Sequence, residues 1–327
     1  MNFSEMSIHH IIMAGTLLLA AGGCKSSAGK TAGAAAVEET QAAQVSFSAD
    51  SAYSYLAKQV EFGPRVPNTD AHRLAGDWLA AELKRHGAAV TEQKADLKAF
   101  DGTLLHARNI FAQFNPEAQE RILLLAHYDC RPWADQDPDP EKHKIPVDGA
   151  NDGASGVAVL LETARQLNAA KSKLGVDILF VDAEDWGTDG DDESWALGAR
   201  HFAANPVLPG YSPSYAILLD MVGGKGAVFP REYFSQQNAP AINDAFWRAA
   251  HAAGHSQKFP NRMGGAVTDD HIELLKAGIP AIDIIEYHSE TGFNPTWHTL
   301  SDNLDNISKE TLGAVGESLM QFLSSQE

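Results

Sequence analysis

Cysteine is nearly absent: the chain's 327 residues include two, Cys24 and Cys130. No disulfide framework braces the fold, which must stand on a hydrophobic core; this length and a hydrophobic fraction of 44% permit one. Basic residues are scarce as well. Lys and Arg number 25 against 43 Asp and Glu, for a net charge of −18. This balance argues against nucleic acid as a partner, because its phosphates would be repelled. From about Phe47 onward there is no linker-like break and no internal repeat, so a single domain is expected over 47–327.

The one notable apolar run is Ile11 to Ala20, of signal-peptide length and too short for a comfortable membrane span. Ala21-Gly-Gly23 and Cys24 follow it. The pattern resembles a bacterial lipoprotein signal over residues 1–23, with Cys24 lipidated after cleavage; an ordinary secretory signal is the alternative. The lipoprotein reading implies a cell-envelope location, periplasmic or on the outer surface, with the membrane touched only through the lipid. Residues 24–46, rich in Ala, Gly, Ser and Thr, read as a flexible tether.

Beyond the tether, Asp50 to Val60 reads as a helix. Asn68 or Thr69 caps a second helix that runs to His86 and stops at Gly87, with Leu74, Trp78, Leu79 and Leu83 at helical spacing. Val90–Leu97 and Leu105–Phe114 alternate like an antiparallel pair. The pattern then becomes strand, loop, helix. Amphipathic Val157–Leu167, Trp195–Ala203, Ala239–Ala253, Asp269–Ala277 and Lys309–Leu323 are expected helices, and Ile279–Ile285 a strand. The class is α/β: a mixed, mostly parallel central sheet with helices on both faces. Four long loops, Pro132–Asp148, Thr188–Ser194, Pro206–Pro213 and Glu286–Pro295, are expected to wall a pocket at the sheet's carboxyl edge.

The chemistry gathers at strand ends. Ile122–Ala126 runs into His127-Tyr-Asp129, Val176–Val181 into Asp182-Ala-Glu184-Asp185, and Tyr215–Leu219 into Asp220. The turn Gly149–Gly156 carries Asp152, and His298 lies between Trp297 and Thr299. In open α/β sheets ligands bind outside the carboxyl ends of the strands. His, Asp and Glu are zinc-type ligands. Taken singly, each has a plain structural reading: Glu184-Asp185 as solvated acids, Asp152 as a helix cap, His298 as a structural histidine. Their shared position at strand ends argues for one site. Asp129 is a candidate to orient His127. Trp186, Trp195 and Trp297 cluster near the acidic ends, with Trp297 the favoured pocket residue.

These residues resemble the zinc aminopeptidase family with two co-catalytic metals. The resemblance implies a first zinc on Asp152, Asp185 and His298, a second on His127, Asp220 and bridging Asp152, and Glu184 as general base. Phe62-Gly-Pro-Arg-Val-Pro67, Arg231-Glu-Tyr-Phe234, Thr268-Asp-Asp-His-Ile272 and Trp297-His-Thr299 resemble the animal-like zinc glutaminyl cyclases and their bacterial relatives within that family. That branch implies one zinc, Asp220 engaged by Asp270, and conversion of N-terminal Gln of peptides or proteins to pyroglutamate with release of ammonia. Trp297 would pack on the substrate. Asp185 departs from the animal cyclases, which have glutamate there. A metallo-aminopeptidase is the alternative activity, and a binding protein that kept the fold the third reading.

Overall fold

The computed structural model describes residues 46–327. The expected signal segment, Cys24, and the tether except its last residue lie outside the described residues. No helix among the described residues is long and apolar enough to cross a membrane.

The elements run α1 (Ala49–Glu61), α2 (Asp70–Arg85), β1 (Ala89–Lys98), β2 (Leu104–Phe114), β3 (Arg121–His127), α3 (Ala154–Ala170), β4 (Gly175–Val181), α4 (Leu197–Ala204), β5 (Tyr215–Leu219), α5 (Tyr233–Asn238), α6 (Pro240–Ala252), α7 (Asp270–Lys276), β6 (Ala281–Ile284), β7 (Tyr287–His288), β8 (Gly292–Phe293) and α8 (Lys309–Ser324). The main sheet is ordered β1-β2-β4-β3-β5-β6. β1, β2 and β4 are joined antiparallel, while β4, β3, β5 and β6 are joined parallel.

The central strands are apolar throughout because both faces are covered. Ile122, Leu124, Ile178, Phe180, Ile217 and Leu219 join a large core with α1, α2, α3, α6 and α8. Their neighbours Leu123, Leu125, Leu179, Val181, Ala216 and Leu218 face α4 and α7. α3 is buried nearly all round rather than amphipathic, lying between the sheet and helices α1 and α8. Leu74, expected on the inner face of α2, is 44% exposed; Ala75, Leu79 and Leu83 make that face. The helix expected from Trp195 starts at Leu197, because Trp195 is extended and Ala196 left-handed.

β3 occupies the topological switch point. From β3 the chain crosses through α3 to β4 on one side, and from β4 through α4 to β5 on the other. A crevice therefore opens at the carboxyl ends of β3, β4 and β5. Gly156 lets α3 lie against the end of β5: a Cβ there would meet the Leu219 carbonyl oxygen at 2.0 Å. Two of the four long loops wall the crevice, through Asp189 and Asp192 in one and Tyr287 and Phe293 in the other. The 206–213 loop does not. It leads into the start of β5 and packs at the opposite edge, where Tyr211 donates to Asp177 at 2.8 Å.

Candidate metal centre

The crevice holds a cavity of about 420 Å³. Asp152, Glu184, Asp185, Asp220, Asp269 and His298 form its polar side; Met221, Val267, Ile285, Tyr287, Phe293 and Trp297 form its apolar wall. Three residues at the strand ends and the closing loop, Ala183, Met221 and His298, have φ near +50° (55°, 47° and 53°). This left-handed backbone turns the chain sharply as it leaves each segment.

Two donor groups converge. Asp152, Asp185 and His298 bring one ligand atom each within 4.8 Å of one another, and so do His127, Asp152 and Asp220. Asp152 is common to both. His298 Nε2 lies 3.1 Å from Asp185 Oδ1 and 3.5 Å from Asp152 Oδ2. His127 Nε2 lies 2.9 Å from Asp152 Oδ1 and 3.2 Å from Asp220 Oδ1. Both Asp185 oxygens are buried without a hydrogen-bond partner. A buried carboxylate whose closest cationic neighbour is the His298 ring is costly, so this cluster suits a cation. One nitrogen and two carboxylates with an open side suit a catalytic zinc.

The electrostatics agree. Burial opposes a charge on His298, but Asp185, Asp135 and Asp152 overcome it and hold the ring's pKa up at about 9. His127 is likewise raised well above the ordinary value, burial being outweighed by Asp129, Asp152 and Asp220. Positive charge is therefore favoured at both Nε2 positions. Burial lifts Glu184 well above the carboxylate range, with Asp269, Asp185 and Asp270 adding to the rise against His127. A carboxyl held less acidic than usual is suited to take up and return a proton.

Main-chain scaffolding fixes these side chains. Asp129 accepts from the amides of Glu184 (3.2 Å) and Asp185 (3.1 Å). Its distance to His127 Nδ1 is 3.5 Å, and that nitrogen makes no hydrogen bond. Asp129 thus holds the Glu184-Asp185 pair more directly than it orients His127. Asp302 accepts from the amides of Asn151 (2.7 Å) and Asp152 (3.1 Å). Arg65, from the Gly-Pro-Arg-Val-Pro string, is fully buried and donates to the carbonyls of Tyr128, Asp148 and Gly149, fastening the end of β3 to the turn before Asp152. Gly153 is needed for space: a Cβ there would meet the His127 ring at 2.6 Å.

Two expected residues sit elsewhere. Trp186 does not line the cavity. It packs with Leu97, Ala99 and Ala183, and its indole N–H donates to Asp101 at 3.2 Å; Gly187 leaves room for Trp195, whose ring a Cβ there would meet at 2.0 Å. Asp270 is wholly buried behind the cavity as the first residue of α7. Its neighbour Asp269 faces the cavity, and Asp220 is the strongest charge acting on Asp269 after burial itself, which together raise Asp269 to about 7. Of the two acids it is therefore Asp269, one residue before the expected Asp270, that lines the cavity with Asp220; adjacent residues at a helix start point in different directions. Trp195 and Trp297 do line the cavity, and Trp297 stacks between Phe293 (4.4 Å) and His298 (3.8 Å). Asp302, Arg131 and Asp135 carry no periodic or motif signal, and only the folded chain brings them to the site.

A mixed α/β sheet with this donor pair at its switch point defines a metallopeptidase-type fold. The chain belongs to peptidase family M28, whose sequence profile matches residues 109–323. It is similar to a Bacteroides thetaiotaomicron glutaminyl cyclase, solved with N-acetylhistamine bound, at 49% identity and a TM-score of 0.85, covering 86% of this chain and 99% of that one. It is also similar to a Parabacteroides distasonis structure described as a Zn-dependent exopeptidase, at 52% identity and a TM-score of 0.83, covering 85% and 98%. The Bos taurus glutaminyl-peptide cyclotransferase is 26% identical over 244 residues, 66% of this chain; the chain spans 65% of the bovine protein's length.

Proposed function

We infer that this protein is a zinc-dependent glutaminyl-peptide cyclotransferase, an acyltransferase acting on peptides or proteins with N-terminal Gln. The observation that carries the reading is the meeting of Asp152, Asp185 and His298 beside Glu184 and under the Trp297 wall, in one cavity. The names carried by the bovine and Bacteroides relatives support it.

Asp152, Asp185 and His298 would hold one zinc. Zinc there supplies Lewis acidity toward the side-chain amide carbonyl of the glutamine. The glutamine's methylenes rest on the apolar wall of Trp297, Phe293 and Ile285. Glu184 accepts a proton from the α-amine as that nitrogen bonds to the side-chain carbonyl carbon. It returns the proton to the amide nitrogen as the carbon–nitrogen bond breaks and ammonia leaves. Asp220 and Asp269 hold the amine. Both carboxyls are raised, chiefly by burial, and the Asp220 charge adds to the rise of Asp269. A shared proton lowers their joint charge, which disfavours a second metal at His127 and Asp220.

One observation favours a second reading. His127, Asp152 and Asp220 could still take a metal, as a two-metal aminopeptidase would require, and one relative is described as an exopeptidase. Mass spectrometry on a Gln-initiated peptide separates the two. Loss of one ammonia supports the cyclase; loss of the whole first residue overturns it.

We also propose that Cys24 anchors the protein in a bacterial cell envelope. Incorporation of a labelled fatty acid by the parent chain and not by Cys24→Ser is the expected result; equal labelling would overturn it.

A further inference from the structure

The ring of His298 has two differently occupied edges. Nε2 faces Asp152 and Asp185; on the other edge, Nδ1 lies 3.5 Å from Asp135 Oδ1. Asp135 is gripped by Arg131, through Nε to Oδ1 at 3.2 Å and Nη2 to Oδ2 at 2.6 Å. The remaining guanidinium nitrogen, Nη1, donates to the main-chain oxygens of Asp185 (3.1 Å) and Gly187 (2.8 Å). Arg131 is 2% exposed. It lies over Trp133 and Trp195 at 4.8 Å each, and Trp195 stacks on His298 at 6.0 Å. One buried guanidinium thus spends its donors on segments that fix two of the three candidate ligands. The same loop also fixes the left-handed backbone of His298, through Gln136 N–H to the His298 carbonyl at 3.1 Å.

The arrangement has a chemical logic. A histidine that binds metal through Nε2 must keep its proton on Nδ1, and a carboxylate beside Nδ1 sets that tautomer and the ring's angle. Arg131 places the carboxylate and balances its charge. His127 is equipped differently. A carboxylate lies at the same distance from its outer nitrogen, Asp129 Oδ1 at 3.5 Å from Nδ1, but that carboxylate is engaged by the amides of Glu184 and Asp185 rather than by an arginine.

We propose that Arg131 and Asp135 are positioning residues for the zinc centre, with Asp135 orienting His298 and Arg131 tying Asp135 to the Asp185 segment. The inference rests on the zinc reading given above. It assigns this loop to tuning metal affinity at the first site, whose outer carboxylate, unlike Asp129 beside His127, is held by an arginine.

The test is direct zinc titration of the full chain against a chromophoric chelator, paired with the visible spectrum of the cobalt-substituted protein. Asp135→Ala should weaken zinc by about 10- to 100-fold. Asp135→Asn, which keeps shape and loses charge, should weaken it less while keeping the parent circular dichroism. Arg131→Lys keeps charge but cannot reach three partners at once, and should shift the cobalt bands. Asp137→Asn serves as control. Asp137 lies on the same loop and accepts the amides of Asp139 (3.0 Å) and Leu300 (3.1 Å); its variant should bind zinc within about twofold of the parent. Parent-like affinity and spectrum in both Asp135 variants would overturn the proposal. So would an equal loss in Asp137→Asn, since loop integrity would then explain the effect. A parent that binds no zinc would instead remove the metal reading itself, and the positioning role with it.

Discussion

Asp302 accepts the backbone N–H of Asp152 at 3.1 Å across 150 residues of sequence, and also that of Asn151. The residue shared by both donor groups is therefore held by a carboxylate from the segment just after His298. Asp302→Ala would leave two buried amides unpaired, at about 1–3 kcal/mol each. The expected result is a lower urea midpoint together with weaker zinc binding. A variant with parent stability and affinity would show that water or a shift of the turn replaces the carboxylate.

Glu184 is the proton carrier in the proposed reaction. Glu184→Gln keeps the side chain's shape and its neighbours but cannot accept the amine proton. We expect kcat to fall about 10²- to 10⁴-fold with zinc content unchanged. Steady-state ammonia release measures this, and a variant within tenfold of the parent would remove Glu184 from the role.

The buried acids give stability a definite slope with pH. Burial and Asp220 raise Asp269 to about 7, and burial and Asp152 raise Asp302 to about 7. An unfolded aspartate titrates near 3.9. Between these values the folded state holds protons that the unfolded chain releases, so these groups lower stability as pH rises from about 4 to about 7. Asp269→Asn removes part of that slope. Above neutrality it should be more stable than the parent by on the order of 2 kcal/mol, equal to it near pH 4, and catalytically impaired. Urea denaturation at acid, neutral and alkaline pH checks the sign; a variant less stable than the parent at alkaline pH contradicts it.

Metal content separates the two donor groups. His298→Ala should lose zinc, whereas His127→Ala should keep the single ion of the parent. Elemental analysis of both purified variants is the measurement. Two zinc ions in the parent and one in His127→Ala would favour the aminopeptidase reading.

Much of the site was legible because strand ends are legible. An apolar run that stops at His127, Glu184-Asp185 or Asp220 announces a buried strand and the residue at its mouth, and parallel order then brings such mouths together. The exceptions were local. Asp269 and Asp270 are adjacent, and which of them faces the cavity depends on the entry angle of α7. Trp186 and Trp195 lie nine residues apart around one turn, yet only Trp195 meets His298. The 206–213 loop was expected at the pocket because loop length does not say which sheet edge a loop occupies.

By itself the sequence determined the class of fold, the strands, and the residue types at their ends, because side-chain burial imposes patterns with short periods along the chain. Tertiary structure alone decided which carboxylate supports which ligand. Asp129 under Glu184 and Asp185, Asp302 under Asp152, and Arg131 with Asp135 behind His298 are contacts made mostly across distant segments. Such hydrogen bonds have no period to read: a buried amide or imidazole nitrogen takes whichever acceptor the packed chain brings within reach.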